Sequence, residues 1–413
     1  MGLIFSKHII VQTGHRDGPE VADIFKQFQA GYKEKYPLNW EQAKAVEDII
    51  ACRTAALGGC VYECSECGAL HVRYCSCRNR NCPKCEKFKR AQWVEGQRRI
   101  MLPVPYFHVT FTTDHGLNGL FERNRRVLYD ALFWSVQTTL QEMARESYGG
   151  QLGITCGLHT WGQKLDGHVH VHCIVTGGVL SFAGKRWLPS SRRFLFDVKE
   201  LSRRYRDRLC RKIKRLWKAE GLVVAEGLEV GALLAGLREK KWEVYAKPFD
   251  DPENVIVYLS RYVHATAVSN YRIIKIEQGQ VHFQYHDNKD GGQEKVMVLD
   301  GVEFMRRFLW HVSPCGYRRI RHYGLHHGSC REKLMRAREL LGLVRELPEK
   351  VELSLSEWLA EILGEDKVDV CGKCGAQGSL FLRGEYETFS KLTLFLVETL
   401  GIVGRKVPAQ GRV

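Results

Sequence analysis

Apolar positions recur along this chain with two periods, and the period changes from segment to segment. Residues 20–52 carry helical spacing on both sides of Pro37, which predicts two helices broken there. Phe107-His108-Val109-Thr110-Phe111-Thr112 follows two closely spaced prolines and is rich in strand formers. Residues 118–146 place Leu128, Leu132, Phe133, Val136 and Leu140 on one helical stripe. Residues 151–162 read as a strand, and Asp166-Gly167 then signals a hairpin turn. From His168 to Val175 the alternation is strict, with period two. A helix over 199–218 has Leu201, Tyr205, Leu209, Ile213 and Leu216 as its packing face. Further helices are predicted over 253–265, near 302–312 and over 331–343, with a hairpin over 271–286 around Gly279. Strands and helices interleave, so the expected class is α+β with a mainly antiparallel sheet flanked by helices.

Composition narrows the function classes. A chain of 413 residues suggests two or three domains at about 150 residues each. With 44% hydrophobic and 26% charged residues, disorder and collagen-like architectures are excluded. No apolar run approaches the roughly 18 residues of a membrane span, so no membrane partner is expected. Lys and Arg outnumber Asp and Glu by 62 to 47, a net charge of +15, which points to a polyanion such as DNA. The helix over 199–218 alone has ten Lys or Arg against two acids. No secretory signal is legible, so a cytoplasmic location is expected and the 15 cysteines are read as thiolates rather than disulfides.

Eight of those cysteines fall in one window: Cys52, Cys60, Cys64, Cys67, Cys75, Cys77, Cys82 and Cys85. Cys64-Ser-Glu-Cys67 and Cys82-Pro-Lys-Cys85 are separated by fourteen residues, close to zinc-ribbon spacing. These two pairs are expected to hold one structural Zn2+, in a small zinc-ribbon-like domain. Cys52, Cys60, Cys75 and Cys77 either complete a second site or sit as small hydrophobes. Four thiolates leave no open coordination position, so this zinc is not catalytic. Arg78, Arg80 and Lys84 surround the second pair and are expected to contact DNA phosphates. A late pair, Cys371-Gly-Lys-Cys374, has knuckle form without a downstream partner pair; it is a candidate for a second small zinc site, with Cys315 and Cys330 upstream as the residues to join it.

On the alternating strand, His168, His170 and His172 share one face, so two imidazoles can converge on one divalent cation. A third ligand can come from the preceding strand, where Gln163, Trp161 and His159 share a face; Gln163, nearest the turn, is favoured. His168 is an alternative orienting group. Tyr258 and Tyr262 stand one helical turn apart. By themselves they read as core aromatics. Beside a His-held cation they become candidate nucleophiles for a phosphodiester, with Arg261 and His264 near the phosphate.

The segments Cys64–Cys67, Ser76–Cys85, Pro105–Phe111, Leu158–Gln163, His170–Cys173, Tyr258–Tyr262 and Arg318–Gly324 together resemble the rolling-circle transposases of the insertion-sequence-ninety-one type. These belong to the HUH endonucleases, named for two histidines around a hydrophobic residue. The resemblance spans about residues 40–345, and the last 40 residues resemble the family only weakly. It implies the HUH histidines at His170 and His172, the active-site tyrosines at Tyr258 and Tyr262, and a zinc-binding region at the cysteine cluster. Asn81 and Cys60 stand where the family usually has histidine, and His168-Val169 replaces a usual Asn-Pro or His-Pro step.

The resemblance implies a DNA transposase that nicks and joins single-stranded or locally melted DNA through a 5′-phosphotyrosine, with Mg2+ or Mn2+ on His170, His172 and Gln163. Imidazole is a softer ligand than magnesium prefers, so manganese is expected to bind more tightly. No P-loop is present, so strand separation would fall to a host helicase. The expected domains are a helical segment over 1–50, the zinc domain over 51–99, the HUH endonuclease over 100–290 and a C-terminal helical region over 291–413, with a location at the nucleoid when DNA-bound. Two other readings fit the same residues. One is a replication initiator or relaxase with the same nicking chemistry. The other is a non-catalytic zinc-ribbon DNA-binding protein, with core tyrosines and solvated histidines.

Overall fold

The computed structural model describes residues 9–12, 18–263, 265–287, 290–349, 357, 369–388, 390–392 and 395. A short strand β1 (Ile9–Gln12) precedes two helices, α1 (Val21–Lys35) and α2 (Trp40–Ala51), separated around Pro37 as the sequence predicts. Glu20 with Asp23, and Asn39 with Gln42, exchange side chain–backbone hydrogen bonds at the two helix starts. These satisfy amides that a first turn leaves unpaired. A hairpin of β2 (Gly59–Cys64) and β3 (Leu70–Tyr74) follows, then α3 (Glu86–Arg98).

The middle of the chain builds the principal sheet. Its parts are β4 (Tyr106–Thr112), α4 (Asn118–Arg123), α5 (Arg125–Tyr148), the short β5 (Gly150–Gln151), β6 (Gly153–Trp161), β7 (Gly167–Thr176), β8 (Gly178–Ser181), β9 (Trp187–Pro189), α6 (Val198–Lys218), α7 (Val230–Glu239), β10 (Val244–Phe249) and α8 (Pro252–Val263). Then come β11 (Ile273–Glu277), β12 (Gln280–Asp287), β13 (Gln293–Asp300), α9 (Gly301–Trp310), β14 (Ile320–Gly324), α10 (Arg331–Leu340) and β15 (Leu380–Tyr386). Strands pair in the order β10-β4-β7-β6-β14, every neighbour antiparallel. The expected α+β class with a mainly antiparallel sheet is borne out.

Alternation assigns the two faces of this sheet different work. Phe107, Val109 and Phe111 of β4 and Val169, Val171, Cys173 and Val175 of β7 pack under α5, α6 and α7. Fully burying each such side chain stabilises the fold by about 1.5–3 kcal/mol. The intervening residues, His108 and Thr110 of β4 with His170 and His172 of β7, face α8. That helix is fixed by Val255, Ile256 and Leu259, which share a core with Tyr106 and Ile174.

A second core joins distant parts of the chain. Helices α1 and α2 pack with α9 and the β11-β12-β13 sheet, and Phe25 meets Phe308 edge-on at 5.2 Å. Cys52, Cys82 and Cys85 belong to this core. A further sheet has the order β1-β3-β2-β15 and so brings the late residues Leu380–Tyr386 onto the early hairpin. Among the described residues no helix is long and apolar enough to cross a membrane.

Two local expectations change. The helix predicted over 118–146 is divided at Asn124, whose amide donates to the Leu120 and Val223 carbonyls while its oxygen accepts from the Val223 amide. A side chain that bonds backbone in this way competes with helix continuation. The Asp166-Gly167 step is not the apex of a two-residue turn. Gly162 N–H donates to the Asp166 carbonyl, and Leu165 takes φ 59° so that its side chain buries in the second core.

Candidate functional site

Antiparallel register assembles the histidines. His159 of β6 pairs with His170 of β7, and Thr110 of β4 pairs with His172. His159, His170 and His172 each offer a ring nitrogen within 4.8 Å of the others, and all three are buried. His170 Nε2 and His172 Nε2 lie 3.0 Å apart.

Hydrogen bonds fix which nitrogen each ring presents. His170 Nδ1–H donates to the His168 carbonyl at 2.6 Å, which leaves Nε2 as the free lone pair. His172 Nδ1 lies 2.9 Å from His108 Nε2 and 3.2 Å from Thr110 Oγ1, which likewise leaves its Nε2 toward His170. His159 Nε2–H donates to the Tyr262 carbonyl, which leaves Nδ1. Outer partners of this kind hold a metal-ligating imidazole in one tautomer. Burial keeps the rings neutral: it holds His159 at about 3, and His170 and His172 well below the ordinary imidazole value. Burial, helped by the Lys247 ammonium, holds His108 at about 4. Neutral imidazoles with free lone pairs fit a divalent transition ion.

The tyrosines arrive on α8, directly over this face. The Tyr262 ring centre is 4.7 Å from that of His172, and the Tyr258 ring centre is 5.1 Å from that of His108. The two hydroxyls lie 3.2 Å apart, and both rings are half-buried rather than enclosed in the core. Lys247, exposed on β10 across from His108, places its ammonium 5.5 Å from the Tyr258 ring centre.

Gln163 is not brought to the histidines. It lies beyond the last paired residue of β6, exposed, with its carbonyl accepting from Arg272. His159 stands directly across from His170 and completes the histidine cluster. Strand pairing was the signal that could have found it. His168 sits at the rim, its ring 5.2 Å from His115. Sequence reasoning assigned no role to His108, although it lies in the Pro105–Phe111 segment, and did not single out Lys247.

The cysteines divide differently from the expected ribbon. Cys52, Cys77, Cys82 and Cys85 converge, whereas Cys64 and Cys67 gather with Cys371 and Cys374. The β2–β3 hairpin separates the two early pairs. Cys64 and Cys67 are at its tip, and Cys75 and Cys77 leave its base. Five strand steps of about 3.3 Å put them roughly 17 Å apart. In the first group Cys85 Sγ lies 3.6 Å from Cys52 Sγ and 3.7 Å from Cys77 Sγ. A tetrahedron with metal–sulfur bonds of about 2.3 Å has sulfur–sulfur edges of about 3.8 Å, so these four thiols fit zinc. Sharing of protons among the sulfurs, first with Cys52, holds the Cys85 thiol below its ordinary range. Cys60 and Cys75 join neither group, nor do Cys315 and Cys330.

The basic residues also sort. Lys84 is not a surface contact: its ammonium lies 2.6 Å from a Glu20 carboxylate oxygen, with the side chains only 10% and 2% exposed. Arg80 donates to the Tyr317 carbonyl. Arg78 is exposed. The side chains of Arg261 and His264 lie outside the described residues. On the opposite side of the principal sheet, α6 presents Arg211, Lys212, Lys214, Arg215 and Lys218 along a groove of about 490 Å³ beside Trp134.

Comparison with known proteins gives concordant matches. Residues 153–333 match the family described as "Putative transposase", and residues 24–113 match the "Transposase zinc-binding domain". The chain is 38% identical over 349 residues to "Putative transposase y4qJ" of Sinorhizobium fredii, covering 82% of this chain and 88% of that protein. It is 29% identical over 294 residues to "Transposase for insertion sequence element IS801" of Pseudomonas savastanoi pv. phaseolicola, covering 68% and 70%. No solved structure matches the chain.

Proposed function

The chain belongs to the insertion-sequence-ninety-one family of transposases, and from that premise we propose that it cuts and rejoins one DNA strand through a tyrosine–phosphate bond. The observation that carries this reading is the half-buried tyrosine pair, hydroxyls 3.2 Å apart, standing over three neutral histidines. A phenol oxygen bonds to the scissile phosphorus, and the bond from phosphorus to the 3′ oxygen breaks. The DNA then carries a 5′-phosphotyrosine and a free 3′-hydroxyl, whose oxygen takes up a proton to balance the one the phenol gives up. Two adjacent phenols allow a second cleavage while the first link is held.

His159, His170 and His172 would hold a divalent cation. When bound, it supplies polarisation of the phosphate and neutralisation of charge on the leaving oxygen. His108 and Thr110 orient His172, and the His168 carbonyl orients His170. Lys247 is placed to meet a phosphate oxygen beside Tyr258. The basic groove of α6 supplies a separate, sequence-independent hold on the DNA backbone. The non-catalytic reading expects solvated histidines, whereas these are buried.

Incubation with labelled single-stranded DNA and manganese should give a covalent protein–DNA band on a denaturing gel. Tyr258→Phe and Tyr262→Phe together should abolish it. Tight DNA binding with no covalent product in either magnesium or manganese would sink the proposal.

A further inference from the structure

The hairpin tip and the late cysteine pair carry the same local sequence. Cys64-Ser-Glu-Cys67-Gly68-Ala69 and Cys371-Gly-Lys-Cys374-Gly375-Ala376 share a C-x-x-C-G-A pattern, more than 300 residues apart. They also share a backbone. Gly68 N–H donates to the Cys64 carbonyl and Gly375 N–H to the Cys371 carbonyl, both at 2.9 Å. Cys64 N–H donates to the Ala69 carbonyl at 3.0 Å and Cys371 N–H to the Ala376 carbonyl at 2.9 Å. Gly68 and Gly375 take φ 63° and 75°, which a side chain would oppose. Two like knuckles thus face each other.

Their sulfurs pair crosswise. Cys64 Sγ lies 3.7 Å from Cys374 Sγ, and Cys67 Sγ lies 3.6 Å from Cys371 Sγ. These separations match the edges of a tetrahedral thiolate centre, as in the Cys52 group. Polar groups gather around the sulfurs. Lys373 N–H donates to Cys371 Sγ at 3.4 Å, Ser379 Oγ lies 3.3 Å from Cys64 Sγ, and the buried His71 ring reaches Cys371 Sγ at 3.3 Å. The pairing of β15 with β2 aligns the knuckles, with Leu380 opposite Cys64.

We propose that Cys64, Cys67, Cys371 and Cys374 form a second tetrathiolate zinc centre that fastens the late segment of the chain onto its early hairpin. It lies partly outside both matched family regions, which end at residues 113 and 333. The early knuckle is therefore completed by a cysteine pair made more than 300 residues later. A chain ending before Cys371 lacks half of the ligands and all of β15.

The test is metal analysis of the full chain carrying His170→Ala and His172→Ala, which removes the histidine site from the count. Two zinc ions per chain are expected, falling to one when Cys371→Ser and Cys374→Ser are added. One ion before that addition, or two after it, overturns the proposal. Cobalt titration of the metal-free chain with all cysteines intact needs no knuckle variant. The thiolate-to-cobalt absorption should saturate at two equivalents, and saturation at one overturns it. So does isolation of the four sulfurs as two disulfides.

Discussion

The histidine centre and the Cys64–Cys374 centre gather their ligands in opposite ways. Two of the histidines are neighbours on one strand and the third lies directly across a hairpin. The second cysteine group instead brings together two pairs more than 300 residues apart, Cys64–Cys67 and Cys371–Cys374. One centre follows from strand register alone; the other requires the whole molecule to fold back on itself. A local centre can form as soon as its hairpin pairs, whereas a centre that closes a long loop must await the tertiary fold.

Removing a histidine that the register supplies should have the largest effect. His170→Ala is expected to cut strand cleavage by more than about 100-fold, since even outer partners of a metal ligand are worth 10–100-fold. DNA binding should change little, because basic surface dominates it. Gel cleavage beside a binding titration measures both, and equal losses would make the histidine structural. His159→Ala should weaken manganese binding as strongly as His170→Ala does, while Gln163→Ala should leave it within about twofold, as for a typical surface change. The reverse order in a manganese titration would restore the turn-proximal residue. His108→Ala should cost about 10–100-fold in metal affinity through loss of His172 orientation.

Away from both centres, Lys84→Met should lower stability by about 3 kcal/mol, because it removes the ammonium that balances the buried Glu20 carboxylate. The salt dependence of DNA binding should be unchanged. A lowered salt slope with unaltered unfolding would return Lys84 to the DNA surface.

The smallest expected effect is on pH dependence. His159 and His108 titrate at about 3 and 4 in the folded chain, against about 6.5 when unfolded. Between those values the unfolded chain binds more protons, so this contribution is intact above pH 6.5 and declines as pH falls toward 4. The thermal midpoint of the metal-free chain should drop over that window, less steeply in a His159→Leu variant. Identical slopes would mean that the buried ring does not set it.

Much of the histidine face was legible because β7 alternates strictly, so His170 and His172 had to share a side. The helix that carries Tyr258 and Tyr262 was legible from its spacing. Their approach to the sheet was not, since it depends on Val255, Ile256 and Leu259 finding Tyr106 and Ile174. His108 was read only as part of a strand, because nothing within β4 says that β7 will lie beside it. The cysteine pairs were recognised as knuckles, yet they were joined to the wrong partners. Spacing along the chain took no account of the extended hairpin between them.

Periodicity, turn residues and charge are properties of short stretches, and they settled the elements, the shared face of the histidines and the attraction to a polyanion. Which strand lies next to which, which cysteines meet and which basic side chains stay in water were settled only by packing. Those outcomes depend on burying apolar faces contributed by segments hundreds of residues apart, a choice no single stretch of chain encodes.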